Sequence, residues 1–433
     1  MKSSQLEFGF ELLIAISIAL LPWDINLNSK LMILLFSISF IDALFFKKEI
    51  KSFPFKRAKF IFIPYLIFIL SLIWSNNISG SIKELTSTVS FIAIPFIFIY
   101  SKKYYTFNYH IVFIVFILSI ITKFSVFFID LLDFHPEALF SITYWKTVLV
   151  RLNGLLNEKG LHPTYYSIFV GISIYLAFYL SNKSKRKIIS LFWKSIAFIL
   201  FILMLAIMAK MPIVSLIVSL IVISVLSIKK NINKKRIYQY SIGLIIIILS
   251  IGFYLYKVPN SFIQDYKNYK NLLLNKNMSD TYDYSKYGSY SQLESWKNTN
   301  RLFIWQSAIQ LWKNNWDIGT GIANYKLELN KQYNKNGYTL LSKHNMNTHN
   351  QYLSYLVKYG LFGFIILFCL LKLVVQAYKT NSYLFIGIIA FMFCTFFTEN
   401  VLERQWGIVC FIFFYSLLMN QYEVNPSNLV DKG

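Results

Sequence analysis

Residues 163–230 decide the fold: PTYYSIFVGISIYLAFYLSNKSKRKIISLFWKSIAFILFILMLAIMAKMPIVSLIVSLIVISVLSIKK. Three apolar runs, near 163–181, 190–209 and 212–228, follow one another here. As helices, each approaches the length needed to cross a hydrocarbon layer of about 30 Å. Lys183, Lys185, Arg186 and Lys187 follow the first run and Lys229 and Lys230 follow the third, while the corner between the second and third holds only Lys210. Alternation of strongly basic and nearly neutral connections is the topology signal of a multi-pass membrane protein, with the basic loops in the cytoplasm.

Working outward, further apolar runs fall near 8–24, 31–46, 59–75, 85–100, 110–129, 238–256, 352–374, 383–398 and 405–420. Lys47, Lys48, Lys51, Lys56 and Arg57 follow the second run, Lys102 and Lys103 the fourth, and Lys234, Lys235 and Arg236 add to the cluster after the eighth. The expectation is an all-α polytopic membrane protein of about twelve transmembrane helices, both termini cytoplasmic. Its parts are a bundle of spans one to nine at 1–256 with an outer loop at 130–162, a large outer loop containing short helices at 257–351, spans ten to twelve at 352–420, and a cytoplasmic tail at 421–433. Lys2 precedes an apolar run that no small-residue cleavage site follows, so this run is the first span and not a removed signal.

Composition agrees: of 433 residues, 56% are hydrophobic and 18% aromatic. A net charge of +23 would raise nucleic acid as a partner of a soluble domain. Here the Lys and Arg residues cluster between apolar runs, so the partner is the membrane lipid and no nucleic acid is expected. Cys369, Cys394 and Cys410 all lie within apolar runs, which supports neither a disulfide framework nor a zinc site. Glu11, Asp42 and Lys194 sit near predicted span ends, where snorkelling toward headgroups accounts for them.

The segment 257–351 is polar and rich in Tyr, Asn and Lys. One helix stands out in it: Asn300 is a capping residue, Ile304, Ala308, Leu311 and Trp312 recur at helical spacing, and Asp317-Ile318-Gly319 ends the run. Trp305, Trp312 and Trp316 suit a helix lying at the membrane interface. Gly319-Thr320-Gly321 follows a helix instead of opening one, so it is a turn and not a phosphate cradle. The outer carboxylates show no Asp-x-Asp pair or metal-like spacing, which disfavours metal-dependent transfer; no metal ligands and no cofactor are expected.

His349-Asn350 closes the polar segment where the chain re-enters the membrane, with Gly360 and Gly363 just beyond. Histidine alone has an unperturbed pKa suited to taking and returning a proton near neutrality, so His349 is the candidate general base. His344, five residues earlier, is its rival, and Asn350 is a hydrogen-bonding neighbour. Arginines are scarce, and Arg151, Arg301 and Arg404 fall on the predicted outer side. Their planar, permanently charged forks suit an anionic substrate such as a phosphate. Lys210 is either a plain hairpin corner or a further phosphate contact.

With these residues in view, the chain resembles the O-antigen ligase family of bacterial inner-membrane glycosyltransferases, which also takes in Wzy-type polymerases and protein O-oligosaccharyltransferases. Arg151-Leu152-Asn153-Gly154-Leu155 looks like the family's Arg-x3-Leu segment, and His349 through Gly360 like its His-x10-Gly segment. The order Arg301, Trp305, Gly319-Thr320-Gly321, His349-Asn350 and Gly360-Leu361-Phe362-Gly363 is similar to the family's shared domain. Lys210 falls where many relatives carry Arg, a departure that leaves its role open.

The resemblance implies an active site facing the periplasm and an undecaprenyl-pyrophosphate-linked glycan as donor. It implies His349 as base and Arg151 and Arg301 on the pyrophosphate. Lys210 stays a further pyrophosphate candidate, and His344, Asn350 and Arg404 are accessory candidates, on the reading of the residues alone. The acceptor is lipid A–core for a ligase, another lipid-linked glycan for a polymerase, and a protein hydroxyl for an oligosaccharyltransferase; ligation is the first expectation. Twelve spans also suit a secondary carrier. Carriers built from repeated halves show matched features in both, whereas the long outer loop here has no counterpart in the first half.

Overall fold

The computed structural model describes residues 2–45, 55–104, 108–132, 156, 161–207, 209–229 and 301–424. Arg151, the expected ninth span at 238–256, the Asn300 cap and the loop residues up to 300 lie outside the described residues. What is described is helical, with no strand among it. The helices are α1 (Lys2–Leu20), α2 (Ile25–Phe45), α3 (Phe55–Leu70), α4 (Ile78–Thr88), α5 (Ser90–Tyr104), α6 (Tyr109–Leu132), α7 (Pro163–Lys183), α8 (Lys187–Ala206) and α9 (Lys210–Lys229). After the polar segment come α10 (Arg301–Asn314), α11 (Tyr325–Lys335), α12 (Thr339–Lys343), α13 (Gln351–Tyr359), α14 (Leu361–Lys379), α15 (Tyr383–Phe396), a 3-10 turn (Val401–Glu403) and α16 (Gln405–Val424).

Six stretches are long and apolar enough to cross a membrane: Ile25–Phe45, Ile78–Tyr100, Tyr109–Asp130, Pro163–Lys183, Lys187–Ala206 and Leu361–Lys379. Four more apolar helices, Phe8–Leu20, Ala58–Leu70, Lys210–Leu226 and Tyr383–Phe396, are shorter. The chain is thus a multi-pass membrane protein, and the described residues account for fewer full crossings than the expected twelve. Large apolar side chains on the outer helices, such as Ile33 and Leu191, stay exposed, as a lipid-facing surface requires.

α7 is the central helix; most of its length is buried, whereas less than half of each other candidate span is. It packs on α6, α8, α9, α15 and α16. His162 caps its start, the ring Nδ1 accepting from Thr164 N at 3.3 Å, and Pro163 opens its first turn, where no donor is needed. α9 and α15 run antiparallel: Thr395 Oγ1 donates to Ser215 Oγ at 3.1 Å, and Ile223 lies against Gly387. Extending that register carries Lys210, five residues before Ser215, to the end of the bundle where α15 gives way to Glu399 and Asn400.

The opposite end collects Lys183, Lys185, Arg186 and Lys187 between α7 and α8, Lys229 at the end of α9, and Lys379 at the end of α14. Glu11 departs from the expectation of snorkelling. It is buried, and its Oε1 accepts from Asn108 N, at the start of α6, at 3.0 Å. A carboxylate at a helix start meets unpaired N–H groups and the positive end of the helix dipole, so the cost of burying it is offset there.

α10, α11 and α12 form a small helical layer over one end of the bundle. Phe303, Ile304, Ala308, Leu311, Tyr325, Leu329, Tyr333 and Leu341 make a second core, joined by Val357 of α13. α13 packs both ways, since Tyr355 and Tyr359 belong to the main core and set their rings against Phe68 of α3. The apolar run at 352–374 is therefore two helices, one serving the layer and one crossing the membrane. They part at Gly360, whose φ of 54° and ψ of −125° belong to a region only glycine enters readily.

Candidate active site

The spacing from His349 to Gly360 has a local explanation: it is the length of α13 with its two caps. Asn350 is the N-cap, its Oδ1 accepting from Leu353 N at 2.9 Å, and Gly360 closes the other end. His349 precedes the cap with φ at 43°, a left-handed conformation uncommon outside glycine and asparagine. Its neighbours hold it there. His349 N donates to Asn347 Oδ1 at 3.1 Å, and Trp305 Nε1 of α10 donates to Thr348 O at 3.0 Å. Trp305 is thus a strut under the histidine, a role the interface expectation missed. Trp316, by contrast, is exposed, and Trp312 packs edge-on against Phe364.

Facing His349 is the turn between α15 and α16. His349 Nδ1 lies 3.4 Å from Glu399 Oε2. Asn400 locks the two segments together: its Oδ1 accepts from Asn350 N at 2.7 Å and from Thr348 Oγ1 at 3.1 Å. Its carbonyl accepts from Tyr165 OH of α7 at 3.3 Å. One step on, Leu402 N donates to Gln351 Oε1 at 2.7 Å. Burial opposes ionisation of Glu399, but the hydrogen bond and charge of His349, with the charges of His162 and Arg301, hold its carboxyl below the ordinary range.

A second ionic cluster lies behind the first. Glu403 Oε1 receives Lys358 Nζ at 2.9 Å and the Ser354 hydroxyl, and Oε2 receives Tyr325 OH at 2.6 Å. Lys358 is 3% exposed and sets its ammonium 4.2 Å from the centre of the Tyr325 ring. Burial would raise the Glu403 carboxyl, yet Lys358 and the hydroxyls of Ser354 and Tyr325 outweigh it and bring it to about 2. Burial, reinforced by Glu403, pushes the Tyr325 phenol well above its usual value, so it stays a proton donor.

Arg301 opens α10, one turn before Trp305, and its charge acts on Glu399. Arg404 is exposed at the end of the same turn as Glu399, and Lys210 reaches this end of the bundle through the α9–α15 register. His344 stands apart: it is exposed after α12, and its side chain makes no hydrogen bond among the described residues. Of the two histidines, His349 is the one with a carboxylate partner among the described residues.

Glu399, His162, Glu403 and Lys358 were absent from the sequence-based candidates. Glu399 and His162 are 50 and 187 positions from His349, so no local spacing links them to it. One usable signal existed: Glu399 and Glu403 are acidic residues in a short turn between two apolar runs on the predicted outer side. Among the described residues no three His, Cys, Asp or Glu side chains converge as metal ligands would.

Chemically, a carboxylate beside Nδ1 favours the tautomer that carries its proton there. That leaves Nε2 with a lone pair able to accept a proton. A base so oriented suits deprotonation of a hydroxyl that attacks a centre bearing a leaving group. No curated protein matches the chain. The O-antigen ligase family model does match, over residues 195–368, a stretch that runs from within α8 to within α14 and holds Lys210, Arg301, His349 and Gly360. Over residues 195–368 the chain is therefore similar to the O-antigen ligase family.

Proposed function

We propose that the chain moves a glycan en bloc from undecaprenyl pyrophosphate to an acceptor hydroxyl at the end of the bundle that carries His349. That end faces the periplasm of a bacterial inner membrane; the basic turns at the opposite end favour a cytoplasmic location for them. The observation that carries the reading is the His349–Glu399 pair within a family of ligases and polymerases. His349 Nε2 takes the proton of the acceptor hydroxyl as its oxygen bonds to the anomeric carbon. The bond from that carbon to the pyrophosphate oxygen breaks in the same step, and its electrons leave with the lipid pyrophosphate. Arg301, Lys210 and Arg151 meet the charge that develops there, with Arg404 and Asn350 as accessory groups. A single displacement of this kind inverts the anomeric configuration and needs no metal.

Ligation to lipid A–core is the first choice of acceptor; polymerisation and protein glycosylation use the same base and cations. The test is transfer by purified protein in nanodiscs, given a lipid-pyrophosphate-linked glycan and lipid A–core and followed by gel shift. His349→Ala, folded as judged by its elution profile, should lose about 100-fold or more in rate. Unchanged transfer by that variant would overturn the assignment of the base. Elongation of the donor without an acceptor would assign a polymerase, and silence of the wild type in all assays would return weight to a carrier.

A further inference from the structure

We propose that Glu403 is a positioning residue: bound by Lys358, Ser354 and Tyr325, it fixes the 399–404 turn so that Glu399 faces His349. The proposal rests on the transferase reading above and adds a residue to it. The Glu399 carboxylate meets His349 at the long distance of 3.4 Å, so its aim is set by the backbone on either side. Toward α15, Glu399 N donates to Thr395 O at 3.1 Å and ties that backbone to the helix end. Toward α16 it is an irregular turn, held by Asn400 on Thr348 and Asn350, by Leu402 on Gln351, and by Glu403.

Glu403 differs from the others in what it joins. Ser354 and Lys358 sit one turn apart on α13, the helix that begins just after His349. Tyr325 is the first residue of α11 and belongs to the core of the covering layer. One carboxylate thus ties the turn to the helix of the base and to the layer above it. Apolar side chains of similar volume would commonly supply as much stability in a buried site as an ion pair. What they lack is direction. Each oxygen of Glu403 has assigned donors at hydrogen-bond distance, so the turn cannot slide along α13 without leaving a buried charge unpaired.

Ser354 and Lys358 are spaced to present side chains on one face of α13, while His349 lies beyond its N-cap at the same end as Ser354. A shift of the turn by one donor would therefore move Glu399 along His349 by a comparable distance. Misplacement of a catalytic group by about 1 Å can cost about 100-fold in rate.

The experiment uses the full chain in nanodiscs and combines kinetics with hydrogen exchange. Glu403→Gln should lower kcat by about 10- to 100-fold. Combined with Glu399→Gln, it should slow the reaction no more than Glu399→Gln alone does, within about twofold, because the two changes act through one contact. Exchange at the Asn350 and Leu402 amides should speed up about tenfold or more in Glu403→Gln, while amides of α11 beyond its first turn keep their protection. Tyr325→Phe, which removes one hydroxyl and no charge, should show the same pattern more weakly and covers the case in which Glu403→Gln does not fold. Multiplying rate losses in the double variant, or unchanged exchange at Asn350 and Leu402, would overturn the proposal. The exchange result stands even if the wild type transfers no glycan, so failure of the transferase reading and failure of this proposal are told apart.

Discussion

Replacing Gly360 by alanine tests whether the His-to-Gly spacing is a matter of helix geometry. Gly360 has φ 54° and ψ −125°, and a Cβ built there would sit 2.6 Å from Gly319 N and 2.7 Å from Asp317 O. The backbone conformation alone costs a side-chain-bearing residue about 1–3 kcal/mol. Forcing two backbone segments apart adds about 1–3 kcal/mol, since neither can swing aside as a side chain would. The crossing is held by Thr320 N on Val357 O at 2.9 Å, Gly321 N on Lys358 O at 2.9 Å and Leu361 N on Asp317 O at 3.0 Å. A total of about 2–6 kcal/mol should therefore appear as exchange at least about 30-fold faster at these three amides. Gly337→Ala is the control. It also has positive φ, at 78°, but open space around its Cβ, so it should cost only about 1–2 kcal/mol and leave the crossing protected. Wild-type exchange at Thr320, Gly321 and Leu361 in Gly360→Ala would refute the reasoning.

Three further outcomes are expected. Glu399→Gln removes the charge that orients His349, and kcat should fall about 10- to 100-fold while the fold is kept; an unchanged kcat would separate the pair from the chemistry. Lys358→Met strands Glu403 as a buried, uncompensated charge and should destabilise by about 3–5 kcal/mol, seen as earlier unfolding in detergent. Adding Glu403→Leu should restore most of that loss. Finally, Glu403 has a folded pKa of about 2 against an ordinary 4.5, so its contribution is fully present above about 4.5 and is lost as pH falls toward 2. That is on the order of 3 kcal/mol, with Glu399 adding in the same direction. An acid-unfolding series should show it, and Glu403→Gln should flatten the curve.

The expected spans outside 238–256 each fall on a helix or a helix pair, because an apolar run with no other way to satisfy its backbone becomes helical in lipid. Crossing itself is a stricter condition, and among the described residues length and composition support it for six stretches. At 352–374 hydropathy could not show that Gln351–Tyr359 serves two cores, since Leu353 and Val357 look like Tyr355 and Tyr359 to any scale of apolarity. Snorkelling was the expectation for Glu11 because the partner that keeps it buried, Asn108, lies 97 positions away.

By itself the sequence determined the helical membrane class and the spacing of the basic clusters, and it singled out His349 and Gly360 as the ends of one stretch. These depend on composition and on spacings shorter than a helix, which short-range physics governs. Only the tertiary structure decided that Glu399 partners His349, that His344 stands apart, that Trp305 props Thr348, and that Lys358 and Glu403 pair inside the protein. Each of those contacts joins separate elements, and the register between packed helices that sets them is encoded by no single stretch of the chain.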